Sequence, residues 1–302
     1  LNFSQQEANI LENIVEQIDE KKFQLIFDSL NLPSVKTKNW TNDQKIINGQ
    51  PVMPGAFPFM VSLGMFSPNS YRHRCGGTIV RRQYVVTAAH CVSDVGQSYN
   101  PTLYFQENNQ ALSVIAGTEI ISGINFLNLF ENQNIYLVRR IFINPNYNNS
   151  INPNDIAILA IDSMLNFSPL VFSVTIPSTL DPSAIFGQTV TTLGWGVNEL
   201  GGLSSQLMST TLTVLNGTPL QSSCQGYDND YYCVQDLSGT SSNVCFGDSG
   251  GSLVSFEKNR WTFYGITSFV FVDSNGNCLN TAPSFFAMVP RLSNWLNGHI
   301  SN

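Results

Sequence analysis

Apolar side chains recur at Ile10, Leu11, Ile14, Val15, Ile18, Leu25, Ile26 and Leu30, with Glu and Gln between them. A spacing of mostly three to four predicts an amphipathic helix over residues 7 to 30. Pro33 disfavours helical backbone at the residue before it, so the helix is expected to have stopped there. The polar stretch 31 to 45 reads as a linker. From Ile46 the texture changes. Short runs rich in Val, Ile, Thr and Phe are broken by Gly, Pro, Asn and Ser. Such runs lie at Phe59 to Leu63, Thr78 to Val80, Tyr84 to Thr87, Ile156 to Ile161, Thr189 to Leu193, Ser252 to Phe256 and Trp261 to Thr267. Many short strands with turn signals between them predict an all-β sandwich or barrel. At the end, Leu292, Trp295, Leu296 and Ile300 share one helical face, which predicts a C-terminal helix over 291 to 300 packed on the β domain.

The first helix has two readings, an ordinary part of the fold or a separable appendage. The second is preferred, because the chain from Ile46 onward reads as a complete domain. The division is therefore 1–45 and 46–302. A length of 302 residues fits one large domain plus such an appendage.

Apolar residues make up 42%, enough for a packed core, and the net charge is −7. That balance argues against nucleic-acid binding, which needs clustered Lys and Arg. The pairs Arg81-Arg82 and Arg139-Arg140 read as solvated strand ends. No apolar run approaches the ~20 residues needed to cross a bilayer, so no membrane partner is expected. The chain begins at Leu1 rather than Met, consistent with a signal peptide already removed.

Six cysteines are widely spread with no pair two apart. This favours three disulfides over a zinc site, with about fifteen connectivities open. Asn-x-Ser/Thr sequons at Asn2, Asn39, Asn148, Asn166 and Asn216 add weak support for secretion. An oxidising, extracellular setting is expected.

Candidate chemistry begins with the histidines. A serine hydroxyl becomes a useful nucleophile only when a base takes its proton, and the base must be held in one tautomer by a further group. Three histidines occur. His299 falls in the last turn of the terminal helix, where a cation suits the helix dipole. His73, between Arg72 and Arg74 in a polar stretch, is expected on the surface. His90 follows Val85-Val86-Thr87-Ala88-Ala89 and precedes Cys91, so it is expected to emerge from a buried strand. It is the candidate base; a core histidine is the blander alternative.

Three segments then occur in order: Thr87-Ala88-Ala89-His90-Cys91, Asn154-Asp155-Ile156-Ala157-Ile158-Leu159, and Gly247-Asp248-Ser249-Gly250-Gly251. With Ile46-Ile47-Asn48-Gly49, Cys75-Gly76-Gly77 and Gly194-Trp195-Gly196, they resemble the signature segments of the chymotrypsin-fold serine peptidases, the trypsin family. The resemblance runs from Ile46 to the terminal helix. It implies two six-stranded antiparallel β-barrels with the site between them, here with a C-terminal helix and a mainly helical pro-segment in front.

Carried over position by position, it implies Ser249 as nucleophile, His90 as general base and then acid, and Asp155 as the group that orients His90. The N–H groups of Gly247 and Ser249 would form the oxyanion hole. Glycine at 247 suits a backbone that must turn its N–H into the site. Ser268 matches the serine that bonds the orienting Asp, or is an ordinary strand serine. The implied disulfides are Cys75 with Cys91, Cys224 with Cys233, and Cys245 with Cys278.

The same resemblance implies a precursor. Cleavage after Lys45 would free the α-amino group of Ile46 to pair with Asp248. A buried carboxylate without a partner costs several kcal/mol, so Asp248 is expected to sit elsewhere until that amine arrives. Asn243 falls at the base of the implied primary pocket, with Val270 and Ser284 on its walls and Ser268 beside it. Neutral Asn243 argues against Lys or Arg selectivity. Val270 and Ser284 narrow the pocket towards small or medium uncharged residues, as in elastases.

Two departures stand out. The loop from Phe271 to Cys278 is longer than in most relatives. His90 and Asp155 are also further apart than usual, with the excess within about 93 to 110. That insertion either overhangs the cleft or is a disordered surface loop. After Ile46 the only lysine is Lys258, which suits a digestive protease or reflects biased composition.

The expected partners are protein or peptide substrates, an activating protease that cuts after Lys, and proteinaceous inhibitors. The expected oligomeric state is a monomer, with no cofactor and no metal. The alternatives are a narrow-specificity cascade protease and a non-catalytic homologue that acts as a binding protein.

Overall fold

The computed structural model describes residues 46–67, 70–122, 135–148, 154–198 and 201–300. The helix expected at 7 to 30, its linker and Lys45 lie outside the described residues. So do the sequons at Asn2 and Asn39.

Two antiparallel β-barrels follow one another along the chain. The first consists of β2 (Met60–Ser67), β3 (Ser70–Arg81), β4 (Tyr84–Thr87), β5 (Ala111–Ala116), β6 (Ile135–Ile143) and β7 (Ala157–Ile161). It closes in the order β2-β3-β4-β7-β6-β5. The second uses β8 (Thr189–Gly194), β9 (Met208–Val214), β10 (Tyr231–Gln235), β11 (Ser252–Glu257), β12 (Arg260–Val270) and β13 (Ser284–Met288). Its order is β9-β10-β13-β12-β11-β8, and β8 pairs back onto β9 to close the ring. The short β1 (Gln50–Pro51) joins the outside of β9. Closure removes the unpaired strand edges that an open sheet would expose.

The core explains the sequence pattern. Val61, Leu63, Ile79, Val85, Val86, Leu112, Val114, Ile158 and Leu159 fill the first barrel and its surroundings. Val190, Leu212, Val214, Val234, Leu253, Tyr264, Phe286 and Met288 form a separate cluster in the second. The barrels meet where Gly76 N donates to Ser249 O at 2.8 Å and where Thr78 Oγ1 and Ser252 Oγ lie 2.6 Å apart. The three implied disulfides are all formed.

Two helices complete the described part. The α1 helix (Pro101–Asn108) lies within the insertion after His90 and contacts β5 and β6. Asn100 caps it by accepting from Leu103 N at 3.1 Å, and Pro101 pre-sets its first turn. Phe105 is buried beneath it, and Tyr99 Oη accepts from Leu112 N at 3.0 Å. The insertion is thus an ordered helix on the wall of the first barrel, not a disordered loop, because local caps and buried aromatics hold it there. The α2 helix (Val289–Ile300) buries Leu292, Leu296 and Ile300, with Trp295 partly covered, as its periodicity predicts.

Arg139 and Arg140 are both exposed at an irregularity in the β6–β7 pairing, in mid-strand rather than at a strand end. Arg82, in the turn just after β3, lies over the Phe167 ring at 4.5 Å. Asn216 is 1% exposed. Its carboxamide is committed to Asp228 O, Tyr231 O and Cys233 N, so this sequon is a structural asparagine in the fold. No described helix is long and apolar enough to cross a membrane.

Candidate active site

The candidate base is delivered by the first barrel. β4 is buried through Thr87, whose Oγ1 donates to Gly76 O at 2.8 Å. The chain then enters a tight turn at Ala89–Cys91, pinned to β3 by the Cys75–Cys91 disulfide. His90 is left half-exposed at the barrel rim. Asp155, just before β7, is 4% exposed. Its Oδ1 accepts from His90 N at 3.0 Å. Its Oδ2 lies 2.8 Å from His90 Nδ1 and accepts from Ser268 Oγ at 2.6 Å.

A carboxylate only accepts, so the Nδ1 proton sits on the imidazole and Nε2 keeps its lone pair for the cleft. Ser268 reaches Asp155 from β12, so the acid is clamped between the two barrels.

The second barrel supplies Ser249. Its loop is held by Asp248 N to Cys245 O, Gly251 N to Asp248 O, and Gly250 N to Thr267 O, at 2.8 to 3.0 Å. Gly247 has φ +95°, a region that side chains disfavour. Among the described residues, the N–H groups of Gly247 and Ser249 have no acceptor, as an oxyanion hole requires. His90, Gly247 and Ser249 line one cleft of about 430 Å³, together with Arg74, Cys75, Phe246 and Ser268–Val270. Among the described residues, no direct hydrogen bond joins His90 to Ser249, and such bonds are often loose without substrate.

Asp248 departs from expectation. Its carboxylate is fully buried and accepts from Gly196 N at 2.7 Å and Cys245 N at 2.9 Å. A side chain at Gly196 would place Cβ 2.4 Å from that carboxyl. Ile46 is buried as well, and Ile47 bridges to Asn243. The turn through Gly247 and Ser249 is therefore formed with the Asp248 carboxylate inside. Burial, partly offset by the two N–H groups, raises the Asp248 pKa from 3.8 to about 7. Partial protonation and those two donors are what make the buried position tolerable.

His73 is another correction. It is 8% exposed rather than on the surface. Its Nδ1 lies 2.7 Å from Ser62 Oγ and its Nε2 lies 2.9 Å from Gly247 O. A carbonyl only accepts, so Nε2 carries the proton and Nδ1 accepts from Ser62. Burial lowers the His73 pKa to about 4, so the ring is neutral and braces the oxyanion turn. The flanking arginines suggested solvent. The alternation of β3 puts Arg72 and Arg74 outside and His73 inside.

The candidate specificity residues fall in two tiers. Ser268 and Val270 line the cleft. Asn243 and Ser284 do not; they are 2% and 0% exposed and bonded to each other beneath it. Asn243 Nδ2 donates to Leu279 O and Ala282 O at 2.9 and 3.0 Å, and Oδ1 also accepts from Val244 N. The carboxamide is thus spent on the loop behind Cys278 and has no spare donor for a substrate side chain.

The insertion after His90 contributes nothing to the cleft lining. It packs on the barrel instead of overhanging the site. Two lining residues escape a reading of the sequence. Phe246 is half-exposed beside Gly247, and Arg74 is bound to Asp94 at 2.6 Å. Adjacency to Gly247 and Cys75 is the available signal for both. Cys75, His90 and Cys91 are a grouping of metal-ligand types among the described residues. Its sulfurs are joined to each other, so it cannot ligate a metal as thiolates.

Two closed six-stranded barrels, with a histidine and an aspartate from one facing a serine loop from the other, define the chymotrypsin-fold class. Residues 46–296 match the Trypsin family model, and the chain belongs to that family. It is similar to serine protease 28 of Mus musculus, at 29% identity over 270 residues, which cover 84% of this chain and 89% of the relative.

Proposed function

We propose that the chain is the precursor of a secreted serine endopeptidase. The observation that carries this is the single carboxylate of Asp155, shared by His90 and Ser268 at the rim of the cleft that holds Ser249. In the reaction, His90 Nε2 accepts the Ser249 Oγ proton as that oxygen attacks the peptide carbonyl. The N–H groups of Gly247 and Ser249 stabilise the oxyanion. The His90 imidazolium, held by Asp155, then protonates the leaving amine. Water, activated by the same base, releases the acyl group.

Residues 1–45 form the pro-segment, and cleavage after Lys45 liberates the Ile46 amine. Ile46 is buried already, and Asp248 is a buried carboxylate with two amide donors and, among the described residues, no cationic side chain bonded to it. The new ammonium group supplies that cation and lowers the Asp248 pKa. The preferred substrates have small or medium uncharged side chains at the cleaved position. Val270 narrows the entrance, and the Asn243–Ser284 pair closes the floor without a charge. Protein substrates, proteinaceous inhibitors, a monomeric state and an extracellular location belong to the same reading. The relative named a serine protease and the three disulfides are consistent with it.

The test is labelling with a fluorophosphonate probe. Cleavage after Lys45 should raise the labelling rate strongly, and Ser249→Ala should abolish labelling. No labelling after cleavage would support the binding-protein alternative. In a peptide library, Val270→Gly should shift preference towards large aromatic residues by roughly 10- to 100-fold, the range a few methylenes command in a pocket. A Lys or Arg preference in the unmodified enzyme would refute the pocket argument.

A further inference from the structure

Behind the catalytic carboxylate lies a phenol that the triad chemistry does not use. Tyr231 opens β10 and is 1% exposed. Its ring meets Phe269 edge-on at 5.1 Å and Phe285 at 6.4 Å. Those two rings stack on each other at 4.4 Å. Two residues along, Cys233 ties the strand to Cys224. The Tyr231 hydroxyl is sealed from solvent and makes no hydrogen bond of normal geometry with any described residue. The Tyr231 ring packs on Phe269, the residue that follows Ser268 in β12, which brings the Ser268 hydroxyl into its neighbourhood, and Asp155 also acts on it electrostatically.

An apolar pocket of this kind is served equally well by phenylalanine, and a buried hydroxyl without a partner is costly. Ser268 offers the partner. Its proton is committed to Asp155 Oδ2 at 2.6 Å, which leaves the oxygen free to accept.

We propose that Tyr231 is a positioning residue for the catalytic acid, its O–H donating to Ser268 Oγ so that a relay Tyr231–Ser268–Asp155–His90 runs from the second barrel into the triad. The inference rests on the catalytic reading of that triad. A donor on Ser268 Oγ polarises the serine O–H and strengthens its bond to Asp155. Asp155 is then held in the orientation that serves His90 Nδ1, and its charge is spread over more donors. Loss of the phenol O–H concentrates that charge on His90 and favours the imidazolium. The titratable groups around the relay are His90, Asp155, Asp230 beside Tyr231, and Tyr147 just ahead of Asp155. Burial pushes both phenols up, so each stays neutral through the working range.

The experiment compares protein cleaved after Lys45 in four forms: unmodified, Tyr231→Phe, Ser268→Ala, and the double variant. A p-nitroanilide peptide with Ala at the cleaved position gives kcat and KM from pH 5 to 9. The fluorophosphonate inactivation rate gives a reading independent of substrate binding. Tyr231→Phe should lower kcat about three- to tenfold with KM unchanged, as expected for a hydrogen bond felt through one intermediate. It should also raise the pKa of the acidic limb. Ser268→Ala should cost more, and adding Tyr231→Phe to it should change nothing further.

Unchanged kcat and pH profile in Tyr231→Phe would overturn the proposal. So would an equal effect of Tyr231→Phe in the Ser268→Ala background, because the phenol would then act without the serine. Thermal unfolding of the same proteins checks folding, since phenylalanine keeps the ring contacts. Failure of the unmodified, cleaved protein to label or turn over would overturn the catalytic reading and this inference with it. An active enzyme indifferent to Tyr231→Phe would overturn this inference alone.

Discussion

Asp155 and Asp248 are two buried carboxylates, and their surroundings differ in kind. Asp155 accepts from a backbone N–H, from an imidazole and from a hydroxyl. One partner is itself able to become a cation, so negative charge is served there at every stage of the proposed reaction. Asp248 accepts, among the described residues, from the N–H groups of Gly196 and Cys245 alone. Its pKa climbs to about 7, with burial as the main cause. The first site is complete as folded. The second has two backbone donors and, among the described residues, no cationic side chain bonded to it. Burial alone therefore does not identify an electrostatic role; the partners do.

The strongest test of the contrast is Asp155→Asn. The carboxamide keeps the shape but puts a donor where His90 Nδ1–H needs an acceptor. The favoured tautomer is lost, and kcat of the cleaved enzyme should fall by about 10⁴-fold with folding preserved. A loss below about tenfold would show that Asp155 is not the orienting group.

Asp248 should govern stability through pH. Its folded pKa is raised from 3.8 to about 7, so between those values the folded, uncleaved chain holds a proton that the unfolded chain has released. Stability is then highest below pH ~4 with respect to this group and falls as pH rises towards 7, by up to ~4 kcal/mol for a shift of about three units. Thermal unfolding of an uncleaved Ser249→Ala protein at pH 5 and pH 8 measures the loss. Asp248→Asn should flatten the dependence, and cleavage after Lys45 should remove most of it by supplying the Ile46 ammonium. A precursor whose pH dependence survives Asp248→Asn unchanged would break the comparison.

A smaller effect than at Asp155 is expected at Ser268. Ser268→Ala removes one of three donors to Asp155 and should lower kcat about tenfold, since the remaining bonds still set the tautomer. The contrast would be sharpened if Gly196→Ala, which drives Cβ into the Asp248 carboxyl, harmed stability while Ser268→Ala left it nearly unchanged.

Much of this architecture is legible in the chain. Tyr84 to Thr87 is a strand with the predicted ends, and the terminal helix begins only two residues before its expected start. The cysteine pairs and the Ser268–Asp155 bond match what the family resemblance implies. Strands β5, β6, β9, β10 and β13 are not among the example runs named from the sequence. Segments such as Tyr231–Gln235 bury both faces and carry little alternation to detect. The helix at 101 to 108 also escapes the pattern, although Asn100-Pro101 is a recognisable start. Its faces are only weakly divided, with Phe105 as the buried residue.

By itself the sequence determined the class of fold and pointed to His90, Asp155 and Ser249 as the candidate triad, because strand periodicity and short motifs are local and survive without coordinates. Only the tertiary structure decided that His73 faces inward, that Asp248 is already buried, that the Asn243 carboxamide is spent on the pocket floor, and that Tyr231 stands behind Ser268. Each depends on which groups from distant segments meet in a space without water. There a polar atom's role is set by its neighbours rather than by its own side chain.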